Sequence, residues 1–235
     1  MLNAGKLTLG NASALGNGAL SVTGAATLDN SAAFALGNAI ALGADLTLAG
    51  NNALTLGGVI SGSGGLIKTG SADLILSGAN TFSGALDILS GSLTTLNTGS
   101  LGNVSTVNVA SGAQLNLGAS GSVGTLAGSG AIALGNSTSL SVGSGNLSGL
   151  YSGVLSGNGS LVKVGNGSLE LAGINTYSGN TQVNGGVLNI SGALAGGQVQ
   201  VNTGATLTGS GSIAGPVNIA DGAHPVSYTH LRAHE

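Results

Sequence analysis

Residues 58–93 read GVISGSGGLIKTGSADLILSGANTFSGALDILSGSL, and residues 153–188 read GVLSGNGSLVKVGNGSLELAGINTYSGNTQVNGGVL. The two stretches align without a gap, 95 positions apart, and 17 of the 36 aligned positions are identical. Self-similarity at a fixed spacing is typical of proteins in which repeated units stack on their neighbours. The repeat therefore predicts a stacked architecture that displays a long surface and does no chemistry of its own.

The composition separates this chain from disordered proteins. Disordered chains combine low hydrophobicity with high net charge. This chain has 42% hydrophobic residues, only 5% charged residues and a net charge of −3. It also has 46 Gly, no Cys and 2% aromatic residues. We therefore predict that it buries a core, and that the core is narrow.

Charge and hydropathy also bear on the partners. A net charge of −3 without a Lys/Arg cluster argues against a nucleic-acid partner, which needs a basic surface. No stretch approaches the ~20 apolar residues of a membrane-spanning helix. Residues 1–11 lack the charged and apolar segments of a signal peptide. We expect neither nucleic-acid binding nor a membrane span in this chain.

Short apolar–polar alternations recur along the chain and predict strands of three to five residues. The clearest are residues 7–9, 20–22, 46–48, 54–56, 74–76, 115–117, 140–142, 169–171 and 199–201. Gly, Asn and Ser fill the intervals and predict tight turns. A sandwich or barrel would have longer strands, so an all-β, right-handed parallel β-helix (solenoid) of short strands and Gly/Asn turns is favoured over residues 1–224.

Each position of the repeat can be given a physical role. Leucines are predicted to point into the core, namely Leu66, Leu74 and Leu76 with Leu161, Leu169 and Leu171. Asn80 and Asn175 are predicted to hydrogen-bond the backbone in a turn. The aromatic residues that follow, Phe82 and Tyr177, are predicted to cover an end of the narrow core.

Two further positions concern turns and edges. Gly84 and Gly179 are predicted to take a left-handed turn conformation. Lys68 and Lys163 are predicted to lie exposed at a rung edge, where a charge limits lateral strand pairing. A binding role for these two lysines is the less favoured alternative.

The sequence offers little material for catalysis. The carboxylates are scattered, and only Asp73 and Asp87 are close enough in sequence to approach one another from adjacent rungs. The equivalent residues of the second copy are Ser168 and Gln182, so the repeat itself does not carry a pair. Before the last eleven residues the only histidine is His224, which argues against a Ser-His-Asp triad. We predict no catalytic, cofactor-binding or metal-binding residues.

The last eleven residues, 225–235, differ in composition from the rest. They read PVSYTHLRAHE and hold the only Arg and two of the three His. This segment resembles translated sequencing-adapter read-through and is predicted to be a non-native tail. The alternative is a genuine polar tail.

The ordered motif of Leu-x-Lys, Leu-x-Leu-x-Gly and Asn-Thr-aromatic-Ser-Gly carries a family resemblance. It occurs in residues 66–84 and again in residues 161–179, and resembles the autotransporter-associated β-strand repeat. Ala85 and Leu86 replace the more usual polar pair, kept as Asn180 and Thr181. Thr69 likewise becomes Val164 in the second copy. These differences are expected to alter surface detail more than the rung.

The resemblance implies a secreted passenger fragment of a Gram-negative bacterium, displayed at the cell surface. It implies membrane contact only through a C-terminal barrel that is missing from this chain. The expected function is the stalk of an adhesin, with a host-cell, matrix or self-association partner. The alternatives are a β-helical polysaccharide-acting enzyme and a self-associating surface protein. We expect no enzymatic activity.

Overall fold

The computed structural model describes residues 1–225, which form short strands and turns without a helix. Their strands, in chain order, are β1 (Lys6–Leu9), β2 (Leu20–Val22), β3 (Ala26–Asn30), β4 (Phe34–Leu36), β5 (Ile40–Leu42), β6 (Leu46–Leu48), β7 (Leu54–Leu56), β8 (Ile60–Gly62), β9 (Leu66–Lys68), β10 (Leu74–Leu76), β11 (Leu86–Ile88), β12 (Ser92–Thr95), β13 (Thr106–Val109), β14 (Gln114–Leu117), β15 (Gly121–Val123), β16 (Thr125–Gly128), β17 (Ala131–Leu134), β18 (Ser139–Val142), β19 (Gly149–Tyr151), β20 (Val154–Gly157), β21 (Ser160–Lys163), β22 (Ser168–Leu171), β23 (Ile174–Asn175), β24 (Thr181–Val183), β25 (Val187–Ile190), β26 (Ala193–Leu194), β27 (Val199–Val201), β28 (Thr206–Thr208), β29 (Ser212–Ile213), β30 (Val217–Ile219) and β31 (His224–Pro225).

The strands form three parallel faces around one core. In the described residues the long face is a twelve-stranded sheet of β1, β3, β6, β9, β11, β13, β16, β19, β22, β25, β28 and β31. The second face contains β4, β7, β10, β12, β14, β17 and β20, and it continues through β23, β26 and β29, since β20 contacts β23. The third face contains β2, β5 and β8, and later β15, β18, β21, β24, β27 and β30.

The chain visits the three faces in turn, and each circuit is one coil of a β-solenoid. Residues 1–225 make about 11 coils. Strands on neighbouring coils are parallel and in register, as β6 and β9 show. This confirms the predicted parallel β-helix. A sandwich of antiparallel hairpins would instead pair strands that follow one another in the chain.

The register fixes the length of a coil. Leu28 pairs with Leu48, Leu48 with Lys68 and Lys68 with Ile88, so each coil here has 20 residues. Because side chains alternate between the two faces of a strand, each inward residue stacks on its equivalents in adjacent coils. The result is a set of columns of like side chains that run along the solenoid.

Aliphatic side chains fill these columns and form one continuous core cluster. The predicted inward leucines of both repeat copies are 0–2% exposed. Full burial of such a side chain contributes roughly 1.5–3 kcal/mol. Short strands suffice here because every coil adds to the same core.

A large aromatic side chain of the long face is buried in the core. Tyr151 pairs with Gly128 on the preceding coil and is fully buried. Its hydroxyl donates to the Gly130 carbonyl oxygen at 2.8 Å. Burial strongly raises the pKa of the Tyr151 hydroxyl. A β-carbon on Gly153 would lie 2.7 Å from the ring carbon Cζ, so that glycine leaves room for the ring.

The predicted non-native tail, residues 225–235, lies outside the described residues except for Pro225. That residue belongs to the two-residue strand β31, which pairs with β28 on the long face.

Candidate functional site: the repeated coil

The two copies of the repeat lie on different faces of the solenoid. In the first copy the Leu-x-Lys segment is β9 on the long face, and Leu-x-Leu is β10 on the second face. In the second copy the same segments are β21 on the third face and β22 on the long face. From β9 the chain completes four coils to reach β19 on the long face, and it then passes through the second face to reach β21 on the third face. The second copy is therefore rotated by one face around the axis.

Lys68 and Lys163 are buried in the core, so the prediction that they lie exposed at a rung edge is wrong. Their exposed fractions are 3% and 0%. Each stacks between two aliphatic residues in an inward column. An ammonium group in such a column loses its water and needs replacement hydrogen bonds.

Backbone carbonyl oxygens supply those bonds to Lys163. Its Nζ donates to Val164 at 2.6 Å and to Gly165 at 3.0 Å, both in the turn that follows its own strand. It also donates to Gly185 on the next coil at 3.2 Å. The lysine thus joins two successive coils from the inside and stabilises the turn that ends β21.

Lys68 makes the same connection on a different face. Its Nζ donates to the carbonyl oxygen of Gly70, two residues on, and to that of Ser90 at 3.2 Å, 22 residues on. Lys163 uses the same two spacings. This conserved geometry within one chain shows that the lysine is part of the coil and not a surface charge.

Burial lowers the pKa of both lysines below the ordinary value, because desolvation penalises the charged form. For Lys68 the nearby Asp73 carboxylate partly opposes this effect and raises the pKa. The two lysines therefore have similar hydrogen bonds and different electrostatic surroundings.

The repeat asparagine also connects coils, as predicted from its backbone hydrogen bonding. Asn80 accepts at Oδ1 from the Ile60 N–H at 2.9 Å and donates from Nδ2 to the Ser100 carbonyl at 2.7 Å. One residue lies 20 positions before the asparagine and the other 20 positions after it. The buried amide therefore bridges three successive coils.

Asn175 repeats this arrangement in the second copy. Its Oδ1 accepts from the Leu155 N–H at 3.0 Å, and its Nδ2 donates to the Ala193 carbonyl at 3.2 Å. It lies in strand β23, so the predicted backbone hydrogen bonds are present, but the predicted turn is here a strand. The amide of Asn175 in a strand thus makes the same two connections to neighbouring coils as the amide of Asn80 outside a strand.

The aromatic residue of the repeat varies together with a residue four positions on. Phe82 and Leu86 are both fully buried in the first copy. In the second copy the equivalents are Tyr177 and Thr181, buried to 1% exposure, and their hydroxyls hydrogen-bond at 2.5 Å. The expectation that the change from Leu86 to Thr181 alters surface detail more than the rung is wrong, because both side chains lie in the core. Both rings are part of that core.

The repeat glycines avoid steric overlap between coils. Gly84 and Gly179 do not have positive φ, so the predicted left-handed turn is wrong. A β-carbon on Gly84 would lie 2.4 Å from the carbonyl carbon of Gly64, and one on Gly179 would lie 2.2 Å from the carbonyl oxygen of Gly159. Close approach of the preceding coil explains the absence of a side chain.

The two carboxylates that the sequence placed close together lie on different faces. Asp87 is in β11 on the long face and accepts from Asn108 Nδ2 at 3.1 Å. Asp73 precedes β10 on the second face and accepts from Ser92 Oγ at 2.9 Å. Each carboxylate is engaged by a side chain of the next coil, which gives it a structural role.

Clustered titratable groups are scarce in the part of the chain that the structure describes. Residues 1–225 contain no group of three or more His, Cys, Asp or Glu side chains placed to hold a metal ion. His224 is exposed on the terminal strand β31. The side chains of Lys6 and Asp29 pair at 2.5 Å, and this contact lowers the pKa of Asp29.

The surface charge is unevenly distributed. Residues 88–169 contain one charged residue, Lys163, and that side chain is buried. The same part of the solenoid and the coil after it expose large apolar side chains, at Leu147 (41%), Leu150 (53%), Val154 (39%) and Ile174 (66%). Residues 88–169 therefore expose no charged side chain, and Glu170 of the next strand lies beside Leu150.

The fold and the geometry of the coils define a β-solenoid in which the repeated residues connect neighbouring coils. The passenger-associated-transport-repeat family matches the chain twice, at residues 66–101 and 161–190. Both matches begin at the first leucine of Leu-x-Lys and include the buried lysine and the bridging asparagine. These repeats imply an autotransporter passenger region, secreted to the surface of the cell.

No curated protein and no solved structure matches the chain. The structure contains no helix within residues 1–225 that is both long and apolar enough to cross a membrane.

Sequence reasoning missed the buried lysines, although the strand pattern contained the signal. Lys68 follows Leu66 by two residues, and residues two apart on a strand face the same side. Strict alternation therefore places the lysine inward. Its charge favoured an outward position because buried lysines are rare.

Proposed function

We propose that this part of the passenger is a spacer that holds an adhesive region away from the cell, the stalk of an adhesin. The observation that supports it is the uninterrupted twelve-stranded long face, which extends over residues 6–225. A solenoid in which each coil contacts its neighbours forms an extended, quasi-one-dimensional body. About eleven coils at ~4.8 Å each give a shaft of roughly 50 Å.

The internal connections favour mechanical continuity over chemistry. The buried lysines and asparagines of the repeat join successive coils, and the carboxylates Asp73 and Asp87 are engaged separately. A catalytic groove would need convergent titratable groups. We therefore propose a non-enzymatic role.

Cell-surface display separates a stalk from an adhesin. The chain is fused to an outer-membrane display anchor, and binding to host cells and matrix proteins is measured against the empty anchor. A stalk gives no gain in binding by itself, but it increases binding when a known adhesive domain is added at its outer end. The Lys163→Ala variant, which weakens the coil, provides a control for folding. If the chain binds by itself, and if this binding is lost in the Lys163→Ala variant, the stalk hypothesis is rejected and the chain is itself an adhesin.

A second candidate function is self-association, favoured by the exposed apolar side chains of Leu147 and Leu150 and of Ile174 on the following coil. Exposed apolar side chains that lie close together are typical of protein–protein contact surfaces. Light scattering over a range of concentrations tests this proposal. A monomer at the highest concentration would reject it, and Ile174→Lys is expected to lower the association.

A further inference from the structure

The chain contains four Asn-Gly pairs, and their local structures differ. They begin at Asn17, Asn158, Asn166 and Asn184. An asparagine followed by glycine is prone to spontaneous deamidation, because glycine leaves the next backbone nitrogen open to attack the side-chain amide. Hydrogen bonds that hold either the amide or that nitrogen oppose the reaction. The structure can therefore rank the four pairs.

Asn158 is the most restrained of the four. Its Nδ2 donates to Asn136 Oδ1 at 2.8 Å, and its Oδ1 accepts from Ser178 Oγ at 3.1 Å. The nitrogen that would attack belongs to Gly159, and it donates to the Leu134 carbonyl at 3.2 Å. Both partners of the reaction are thus held by other coils.

Asn184 is restrained at the side chain. Its Oδ1 accepts from Asn202 Nδ2 at 2.6 Å. The two asparagines follow the neighbouring strands β24 and β27 of the third face. Movement of the amide towards the next residue would break this contact.

Asn166 has neither restraint. Its side chain is exposed and has no hydrogen-bond partner among residues 1–225, although its backbone N–H is held by Asn146 Oδ1 at 2.8 Å. The Gly167 N–H likewise has no acceptor among these residues. Neither the side-chain amide of Asn166 nor the nitrogen that would attack it is therefore held by a hydrogen bond to another coil. Asn17 is also exposed and without a side-chain partner within residues 1–225.

We propose that Asn166 is a site of spontaneous deamidation, which adds a carboxylate to the second repeat copy at the turn that binds Lys163. The Gly167 nitrogen bonds to the side-chain carbonyl carbon of Asn166, and the bond from that carbon to the amide nitrogen breaks. Ammonia leaves with the proton from Gly167. One water then opens the succinimide ring to Asp or isoaspartate. The reaction needs no oxidant, reductant or enzyme.

The new charge would arise next to the backbone carbonyl oxygens that accept hydrogen bonds from Lys163. Asn166 directly follows Gly165, whose carbonyl oxygen accepts from Lys163 Nζ at 3.0 Å. In the first copy the corresponding lysine already has the Asp73 carboxylate in its surroundings. Deamidation would therefore make the electrostatics around the second lysine more like those around the first.

The test follows each Asn-Gly peptide by mass spectrometry while the folded full chain is incubated at mildly alkaline pH. Asn166 and Asn17 are expected to deamidate fastest, and Asn158 about tenfold more slowly, because a hydrogen bond of ordinary strength must break first. In denaturant the four rates are expected to converge. Equal rates in the folded chain, or a faster Asn158, would overturn the proposal.

Two variants separate the reaction from its consequence. Asn166→Ser, which copies Ser71 of the first repeat, is expected to abolish the product at this position only. Asn166→Asp is a stable form of the product and is expected to shift the titration of Lys163 to higher pH. An unchanged lysine titration in that variant would reject the electrostatic consequence, whereas the peptide analysis would still decide the modification itself.

Discussion

The two copies of the repeat share their inner connections and differ in orientation. Each has a buried lysine that reaches the carbonyl oxygens 2 and 22 residues ahead, and an asparagine that bridges to neighbouring coils. The first lysine is on the long face and the second on the third face. The repeat therefore specifies how a coil closes on its neighbour, and it does so on more than one face. Its outward residues point in different directions in the two copies.

Among the substitutions that test this comparison, removal of the lysines is expected to have the largest effect on stability. Lys163→Ala empties a core position and leaves three carbonyl oxygens without the ammonium, so we expect a loss of about 3–4 kcal/mol in the free energy of unfolding. Lys68→Ala is expected to cost less, because Lys68 serves two carbonyl oxygens. Urea denaturation of the full chain measures both. A larger loss of stability for Lys68→Ala than for Lys163→Ala would contradict the idea that these carbonyl hydrogen bonds determine the contribution of each lysine.

Substitution of the repeat glycines by alanine is expected to have the second largest effect on stability. Gly84→Ala and Gly179→Ala push a methyl group into the preceding coil and are each expected to cost about 1–3 kcal/mol. Gly10→Ala is the matched control, because a β-carbon there meets nothing within 4 Å. The thermal midpoint of unfolding compares the three variants. Equal effects at Gly10 and Gly84 would show that overlap between coils is not the cause.

Exchange of the core pair tests whether the aromatic residue and its partner vary together. Phe82→Tyr places a hydroxyl against Leu86 and is expected to cost about 1–2 kcal/mol, as for a buried unsatisfied polar group. Adding Leu86→Thr recreates the hydrogen bond of Tyr177 and Thr181, so the double variant is expected to be more stable than the sum of the single changes. The coupling free energy from the cycle should be about 1 kcal/mol. Additive effects would reject the pairing.

The smallest expected effect is on the dependence of stability on pH. The folded pKa of both lysines is lowered, so above that pKa the unfolded chain binds more protons and stability rises towards the ordinary lysine value of about 10.4. Tyrosine acts in the opposite direction, because burial raises the pKa of Tyr177 to about 12. Above the ordinary tyrosine value of about 10 stability should therefore fall again.

Replacing both lysines by methionine keeps the volume and removes the charge. The rise in stability on the alkaline side should then disappear, while the later fall remains. Denaturation midpoints measured across the alkaline range report both effects. A rise that survives in the double variant would assign it to other groups.

Much of the fold follows from the sequence. Strands such as Leu46–Leu48 and Leu54–Leu56 are evident from alternation, and the inward leucines follow from the same rule. The stacked architecture follows from the repeat. These features depend on local spacing, which a single sequence contains.

The rest depended on contacts between coils. The burial of Lys68 was hidden because its charge argued against the position that alternation assigns to it. The reason for Gly84 was hidden because no sequence pattern shows how closely another coil approaches. The rotation between copies depends on the residue count of each intervening coil, including the turn before Tyr151, and on which segments form faces.

The hydrogen bonds from Lys163 to Gly185 and from Asn80 to Ser100 connect one coil to the next, along the axis of the solenoid. Tension applied to the two ends of the shaft acts in the same direction. These side chains would therefore resist the separation of coils alongside the backbone ladder, from positions that water cannot easily reach. A protein pulled at its outer end would owe part of its tensile strength to two kinds of polar side chain buried in its core.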